Sequence, residues 1–464
     1  MKTFRYTAMA MAAMMAAGMH AQTTFDAGKL IEEDLNGTAR YVSMGGAMSA
    51  FGNDISTISH NPAGIGAYRH ADLNLTLSMA GSSTWSTGSH MGAQSGNIKS
   101  DIFGGLDNIG MVLAGDEFGN HLNFAFSYRR LQNMDRTVTY ADAIFDADGY
   151  EAYRDFQDHQ RNKVGSYDFN LSYNADDKAY FGVTFGILST DTWSEGYIWD
   201  RYEAGKHPDF PDGLNYLNVD EMNTSTGNGW NVAFGTILRP VPGLRLGAAF
   251  KSPTLFSQTL AYSDFLYDDH ANTNADGLSD PIHLSTAEKF TKSVEYSFTS
   301  PWSLNFSAGL TAGHTALGIE YERNFTGRTS LSVNNSKLSR QGACDLRDYS
   351  TFSIGLEQNI DKVSLRAGFN TTGPMYNSRA YADMSDTEFN MMRKDSQTDM
   401  TGRRSNLTAG LGYCSAPEDG TQFYIDFAYV HSIRKSQFSL YPEDLLTDYK
   451  HTTDKCMLTL GLCF

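Results

Sequence analysis

Alternation of apolar and polar residues with a period of two is the feature that most limits what this chain can fold into. It recurs in fourteen segments between Leu73 and Phe464. Successive side chains of a β-strand point to opposite faces, so each segment predicts a strand with one apolar face. Representative segments carry apolar residues at every second position: Leu73/Leu75/Leu77/Met79, Leu122/Phe124/Phe126/Tyr128, Tyr167/Phe169/Leu171/Tyr173, Val363/Leu365/Ala367/Phe369 and Leu458/Leu460/Leu462/Phe464.

The links between these segments alternate in length. Links after even-numbered segments are short turns, such as 175–177 and 239–242, whereas links after odd-numbered segments are long, such as 190–227 and 253–301. Short periplasmic turns and long extracellular loops are typical of outer-membrane barrels, whose tilted strands cross the bilayer in about 9–11 residues. A soluble β-sandwich has no reason to separate its loops in this way. The sequence therefore predicts an all-β fold, a 14-stranded antiparallel transmembrane β-barrel over residues 72–464.

Residues 1–21 have the features of a secretory signal peptide. Lys2 and Arg5 precede the longest apolar run of the chain, Ala8–Met19. This run has the length of a signal-peptide core and is too short for a transmembrane helix, which needs roughly 17 or more residues. We expect cleavage after Ala21. Because no cysteine lies near that position, we expect no lipoprotein anchor.

Charge and motifs exclude several classes of function. The chain has 36 Lys and Arg against 53 Asp and Glu, a formal net charge of −17, so we expect no nucleic-acid partner. No HExxH, GxSxG or Walker sequence is present, and we expect no enzyme, no cofactor and no metal site. Asn272–Gly277 resembles the start of a calcium loop, but His283 stands where the bidentate Glu is needed. No disulfide framework is evident among the four cysteines, Cys344, Cys414, Cys456 and Cys463.

Residues 22–71 precede the first strand and are rich in glycine. A segment of this length and composition is too small to fold alone, and the barrel lumen is the surface available to it. We therefore predict that residues 22–71 form an N-terminal hatch, or plug, in the lumen. The chain ends on Phe464, in register with Leu462. A terminal aromatic on an amphipathic strand resembles the signal read by the bacterial barrel-assembly machinery, which we expect as a partner.

An ordered set of motifs in residues 22–71 resembles the FadL/TodX-type outer-membrane transporters of hydrophobic compounds. A small-residue run is followed by an Asp and then by an Asn-Pro-Ala-Gly motif shortly before the first strand. The final Phe464 and the stretch Phe250–Pro253 are also similar to family members. The residues that match the family's hatch motif are Gly45, Gly46, Asp54, Asn61, Pro62, Ala63 and Gly64.

The resemblance implies a fourteen-stranded barrel with the hatch in its lumen. It also implies that an amphipathic ligand is captured among extracellular loops, passed to an apolar site in the barrel and released sideways through a kinked strand. Two interpretations of Asn61–Gly64 remain open: a tight turn that shapes the plug, or a direct part in gating. The third strand, His121–Leu131, has no Gly or Pro, so its sequence gives no sign of the family's kink.

Two groups of residues are candidates for contact with a ligand. Rings in the two longest predicted loops are candidates for the capture groove, although they are equally compatible with loop packing or an interfacial aromatic girdle. Cations on the lumen side are candidates for binding a carboxylate head group, although they can instead pair with one another or with the plug. The ring candidates are Trp193, Tyr197, Trp199, Tyr202, Phe256 and Phe265, and the cation candidates are Arg129, Arg245, Lys251 and Arg366.

The sequence as a whole favours passive uptake of hydrophobic or amphipathic small molecules, such as long-chain fatty acids, across a Gram-negative outer membrane. One alternative is a family-related barrel that carries secreted proteins at the cell surface. A general porin is the other, and a plug of residues 22–71 argues against it. The expected partners are the small-molecule ligand, outer-membrane lipid and lipopolysaccharide, and we expect a monomer.

Overall fold

The computed structural model describes residues 28, 30–87, 97–115, 121–145, 150–203, 205–206, 208, 216–273, 279–283, 290–333, 336–337, 346–375, 402–417, 420–439 and 446–464. The predicted signal peptide and Cys344 lie outside the described residues. Within these ranges, no helix is long and apolar enough to cross a membrane.

Almost all of the described chain after residue 71 is β-strand. Valine, isoleucine, threonine and aromatic residues, which favour a pleated surface, recur along it. In chain order the strands are β1 Asp72–Thr87, β2 Asn97–Leu113, β3 Leu122–Phe145, β4 Glu151–Ala175, β5 Ala179–Tyr202, β6 Tyr216–Val241, β7 Leu244–Lys251, β8 Leu255–Thr273, β9 Ser279–His283, β10 Phe290–Thr299, β11 Ser303–Ala312, β12 Thr315–Asn324, β13 Ser330–Val333, β14 Ser336–Lys337, β15 Tyr349–Ile360, β16 Val363–Thr372, β17 Arg403–Cys414, β18 Gln422–Ser439 and β19 Leu446–Cys463.

The strands close into one antiparallel barrel with fourteen wall positions, and the predicted all-β, 14-stranded antiparallel barrel is confirmed. β1 pairs with β19 from Asp72↔Cys463 to Thr87↔Asp448, so the strands farthest apart in sequence seal the ring. β8 continues the wall position of β7, β10 that of β11 and β13 that of β12. Around the ring the order is β1, β2, β3, β4, β5, β6, β7, β11, β12, β15, β16, β17, β18 and β19.

The two faces of the wall differ in polarity, as the alternation predicted. Outward positions are apolar and exposed, as at Phe124 (53%) and Leu407 (63%). Inward positions are polar and buried, as at Asn123, Asn170 and Ser353. An apolar band on the outside and a polar inside is the division between lipid and lumen in a transmembrane barrel.

The aromatic residues that we assigned to extracellular loops lie in strands, so that part of the prediction is wrong. Apolar alternation fades where a strand leaves the lipid, but the ladders of β4, β5, β6 and β8 continue with polar residues on both faces. The sequence boundary was therefore placed too early. Trp193, Tyr197, Trp199 and Tyr202 fall within β5, and Phe256 and Phe265 fall within β8.

The N-terminal segment, residues 30–71, packs against the inner face of the barrel wall, and most of its residues are buried. It forms one short helix, α1 Ala39–Ser43, and two 3₁₀ helices, Ile55–Ser59 and Pro62–Ala67. Side-chain oxygens begin each turn, because Thr38 accepts from Tyr41 N and Asp54 accepts from Ser56 N. Asn61 caps the third turn in the same way, with Pro62 at its first position.

Candidate functional site

The Asn61–Gly64 motif docks on a glycine-lined part of the inner wall. A Cβ atom at Gly182 would lie 2.4 Å from the Pro62 carbonyl oxygen, and one at Gly235 would lie 2.1 Å from Asn61 Oδ1. Asn61 Nδ2 donates to the Thr236 carbonyl at 3.1 Å. Any larger residue at these wall positions would push the motif away, so the glycines make its close approach possible.

The Pro62 carbonyl is also held from the neighbouring strand. Asn170 Nδ2 and Ser172 Oγ of β4 donate to this oxygen at 3.2 and 2.8 Å. The motif is thus a capped turn that three consecutive wall strands hold in place. This geometry supports the interpretation of a shaping turn, and a part in gating stays a prediction.

The Gly45–Gly46 run docks on a second row of glycines. Gly309, Gly318, Gly355 and Gly368 face one another across β11, β12, β15 and β16. A Cβ atom at Gly318 would lie 2.0 Å from the Ala47 carbonyl oxygen, and one at Gly355 would lie 2.2 Å from that of Met44. Gly45 and Gly46 themselves have φ values of 63° and 83°, which favour glycine.

Asp54, the third element of the motif, ties the N-terminal segment to itself. Its carboxylate accepts from Thr38 Oγ1 at 2.8 and 2.9 Å and from Ser56 N at 2.9 Å. Burial raises the pKa of Asp54 above its ordinary value, although the charge of Arg40 and these hydrogen bonds oppose the shift. We infer that Asp54 has a structural task within the segment.

All four predicted head-group cations contact groups of the protein. Lys251 Nζ lies 2.6 Å from Glu33 Oε1, and Arg245 donates to the carbonyl oxygen of Phe51. Arg129 donates to Ser59 Oγ and lies 3.2 Å from His60 Nε2. Arg366 pairs with Glu357 at 2.6 Å and with Asp426 at 2.5 Å. Three of the four therefore bind the N-terminal segment, and the fourth binds carboxylates of the wall.

A cavity in the upper lumen has one apolar and one charged side, and we call it the luminal cavity. Its lining includes Leu30, Glu33, Leu131, Lys251, Phe256 and Arg404. On the apolar side Leu30 packs against Leu131, Val164, Leu188, Phe256, Tyr296 and Phe298. The rings of Phe256 and Phe298 stack with centroids 4.4 Å apart.

The charged side of the luminal cavity joins the acidic run Glu32–Asp34 to cations of the wall. Arg404 Nη1 lies 2.5 Å from Asp34 Oδ1 and 3.4 Å from Glu32 Oε1. Arg434 also donates to Glu32. Sequence reasoning missed Arg404 and Arg434, because the long link after β16 hid the register of β17. The acidic run Glu32–Asp34, which lies between apolar residues, was the feature of the sequence that could have pointed to cationic partners on the wall.

The structure does not gather the predicted ring residues at one place. Phe256 is buried in the luminal cavity, at 4% exposure. Trp193 instead lies beside His159, 5.0 Å between ring centroids, with the Arg161 guanidinium 5.2 Å from its ring. Of the remaining four rings, only the strand position is described. A capture role for these residues stays a prediction.

The wall is interrupted between β2 and β3. Their ladder covers only Asn108–Leu113 and Phe124–Arg129. Above it, the described parts of β2 pair with β1 and those of β3 with β4, and the two strands do not pair with each other. β3 has a bulge at Leu131, so the strand is irregular there although it contains no Gly or Pro from which the sequence could have predicted this.

Residues of the N-terminal segment bind the free edge of β3 at this gap. Asp34 N donates to the Leu131 carbonyl at 2.8 Å, and Asn36 Nδ2 donates to the Arg130 carbonyl at 2.9 Å. Lys455 Nζ, from β19, donates to Asn36 Oδ1 at 2.8 Å. The N-terminal segment therefore binds the β3 edge at the gap, and wall side chains contribute as well. Arg130 Nη1 of β3 lies 3.8 Å from Asp107 Oδ1 of β2, and Ser82 Oγ of β1 donates to the Asp135 carbonyl at 3.2 Å.

Comparison with known proteins finds similarity at the level of structure. No family model matches the sequence. No curated protein matches it either. A Pseudomonas aeruginosa FadL homologue superimposes with a TM-score of 0.61 at 15% identity, covering 93% of this chain and 99% of that one. The Pseudomonas putida toluene transporter TodX gives 0.59 at 12% identity, and the Ralstonia pickettii toluene transporter TbuX 0.52 at 14%. Both cover 93% of this chain and 99% of theirs.

A closed fourteen-stranded barrel with an apolar outer band places the protein in the bacterial outer membrane. The fourteen-stranded antiparallel barrel predicted from the alternation is thus the observed one. This chain has the fold of the FadL/TodX-type channels.

Proposed function

We propose that the protein is a passive channel for hydrophobic or amphipathic small molecules, with the N-terminal segment as its hatch. The luminal cavity is the observation that carries the proposal. It offers a buried apolar wall next to two cations, and a segment of the chain itself fills both parts. The structurally similar proteins are a FadL homologue and toluene transporters, which supports the same class of substrate.

We further propose that the substrates include amphipathic carboxylates such as long-chain fatty acids. Leu30 covers the apolar wall as a hydrocarbon tail would, and Glu33 binds Lys251 as a carboxylate head would. Cations hold carboxylates through charge-assisted hydrogen bonds, which are stronger in a site shielded from water. The hatch then competes with the substrate for the same contacts.

The gap between β2 and β3 is the proposed exit. An apolar molecule gains free energy by entering the lipid directly instead of crossing water. A second cavity beside the gap is lined by Phe103, Gln132, Met134 and Asn36. The hatch must leave the β3 edge before a substrate can pass. The described residues and the comparisons give no support to the alternative of a carrier for secreted proteins.

Binding of a matched pair of ligands to the purified protein tests the proposal. Oleate and oleyl alcohol share a tail and differ in charge. Lys251→Gln is expected to weaken oleate binding roughly tenfold, the value of one charge-assisted hydrogen bond, and to leave oleyl alcohol binding unchanged. Lys178→Gln, in the turn between β4 and β5, is the control.

Absence of binding by both ligands to the wild-type protein would contradict the proposed function. Equal affinity of the wild type and Lys251→Gln for oleate would remove the carboxylate from the proposal and leave neutral hydrophobic compounds.

A further inference from the structure

A row of cations crosses three neighbouring strands on the outer face of the barrel. Arg403 of β17 faces Lys435 of β18, and Lys435 faces Lys450 of β19. Lys450 in turn faces Trp85 of β1. All four residues are exposed, Trp85 to 45%. We call Arg403, Lys435 and Lys450 the outer cation row.

The outer cation row lacks counter-charges among the residues that the structure describes. Arg404 and Arg434, the adjacent inward-facing cations, are paired with Glu32. None of the three outward cations forms an ion pair with a described residue. Side chains directly opposite each other on neighbouring strands lie about 4.5–5.5 Å apart at Cβ, where like charges destabilise a sheet. An anion from outside the chain would remove this repulsion.

The row lies at the depth of lipid head groups. Phe423 begins the apolar band at the periplasmic end of β18, and Lys435 follows twelve positions later on the same face. A strand tilted by about 40° covers roughly 30 Å in that distance, and the apolar band of such barrels is about 25 Å tall. The cations thus stand just above the hydrocarbon of the outer leaflet. Trp85 beside them is the residue type preferred at that boundary.

The opposite side of the barrel shows how outward cations are normally compensated. Lys163 of β4 stands ten positions from Tyr173, near the periplasmic end of its strand, and Arg161 twelve. Lys163 faces Asp191 of β5, while Arg161 faces Asp135 of β3 and lies 5.2 Å from the Trp193 ring centroid. Position and exposure match those of the outer cation row, but here each cation has a carboxylate residue directly opposite it on the neighbouring strand.

We propose that Arg403, Lys435 and Lys450 bind the phosphate of an outer-leaflet lipid. Lysine and arginine donate charge-assisted hydrogen bonds to phosphate, and their long side chains can reach up or down to the head-group layer. The overall charge of −17 repels free anions, so a phosphate held in the membrane plane is favoured over one from solution. The site is independent of the transport proposal, since it lies on the outside of the wall.

Native mass spectrometry of the full chain with added lipid A tests this site. The triple variant Arg403→Gln, Lys435→Gln, Lys450→Gln is expected to lower bound diphosphoryl lipid A at least tenfold. Dephosphorylated lipid A is expected to bind the wild type as weakly as diphosphoryl lipid A binds the triple variant. Arg161→Gln with Lys163→Gln, which removes cations that face Asp135 and Asp191 on the other side, is the control and is expected to retain the wild-type amount.

Three outcomes would overturn the proposal: equal lipid A binding by the wild type and the triple variant, an equal loss in the control, or full displacement of lipid A by millimolar inorganic phosphate, which would indicate a free-anion site. If the triple variant assembles poorly, the single variant Lys435→Gln can be tested in its place. It is expected to bind about threefold less diphosphoryl lipid A than the wild type.

Discussion

The wall of this barrel is interrupted at two places, and the two are closed by different means. On one side, Pro253 and Pro301 interrupt neighbouring strands, because proline has no N–H to give to the ladder. The wall repairs this break itself: Ser252 N donates to the Val232 carbonyl at 2.8 Å, and Thr254 N donates to Ser300 Oγ at 3.2 Å.

At the gap between β2 and β3 the wall contributes side-chain contacts, Arg130 to Asp107 at 3.8 Å and Ser82 Oγ to the Asp135 carbonyl at 3.2 Å, but the described parts of β2 and β3 share no ladder there. Asp34 and Asn36 of the N-terminal segment bind its edge instead. A closure made by a separate segment can be removed without breaking the wall, whereas the proline break opens only if wall strands part. The comparison teaches that an interruption of a barrel is a candidate gate only when a movable element closes it.

The largest expected effect comes from displacing the whole hatch. Gly355→Val would place a side chain against the Met44 carbonyl, where even a Cβ atom comes within 2.2 Å. We expect a loss of about 1–3 kcal/mol in unfolding free energy and faster hydrogen exchange at β3 residues 130–133. Gly81→Val, with no atom within 4 Å of its Cβ position, is the control. Faster exchange at β8 as well would erase the distinction between the two interruptions.

An effect of similar size but confined to the gap is expected from Asn36→Ala. The variant leaves the Arg130 carbonyl without its donor and removes one acceptor of Lys455 Nζ, which keeps its ion pair with Asp107, at a cost of about 1–3 kcal/mol. We expect faster passage of a hydrophobic dye through reconstituted protein and a hatch that otherwise stays in place. The matched control is Asn170→Ala, which removes a bond to the Pro62 carbonyl away from the gap. An equal increase in both variants would mean that the gap is not special.

Acid is expected to loosen the hatch by protonating Glu33. Burial alone would raise the pKa of Glu33, but the charges of Lys251, Arg129 and His60 outweigh it and hold the pKa at about 2. A lowered pKa stabilises the folded protein above the ordinary value near 4.5, and this contribution is lost as the pH falls towards about 2. Protection of residues 30–36 should fall over that range. In the Glu33→Gln variant, the protection of residues 30–36 should already be lower at neutral pH. It should then stay constant as the pH falls from about 4.5 to about 2.

The smallest effect is expected at the proline break. Ser300→Ala removes the acceptor of Thr254 N and should cost about 0.5–1.5 kcal/mol without changing dye passage. Thermal unfolding and the same passage assay measure the two quantities. Faster passage through Ser300→Ala would show that the self-repaired break is a second route.

Sequence reasoning predicted the barrel because lipid on one face imposes a strict period of two. It failed where that constraint ends or is interrupted. The upper half of β5 continues beyond the lipid, so Trp193 was assigned to a loop, and Pro253 interrupts the alternation just before β8, so Phe256 was assigned to a loop as well. The glycine rows that receive the hatch were also out of reach. Gly318 and Gly355 lie opposite each other only because of the register between β12 and β15. The register between two separate segments cannot be read from the sequence of either segment alone.

The gap was missed for a related reason. A bulge at Leu131 and an early end of pairing are properties of two strands together, and β3 alone shows neither. Head-group cations were predicted by type and side of the wall. Lys251 does line the luminal cavity, and its binding of a ligand head group stays a prediction. Arg404 was missed because 376–401 lie between it and the preceding strand, so its place on the wall was unknown.

Pairing of β1 with β19 bears on how the protein is assembled. The strand that follows the hatch is one of the two that complete the ring, and their contacts join Asp72 to Cys463. Contacts so distant along the chain close slowly, after local hairpins have formed. Before β1 and β19 pair, the other strands would form an open, curved sheet, and the hatch would lie at its free edge. The hatch would then be enclosed as the sheet closes, without being threaded through a finished pore. This order of events follows from the pairing of the first strand with the last.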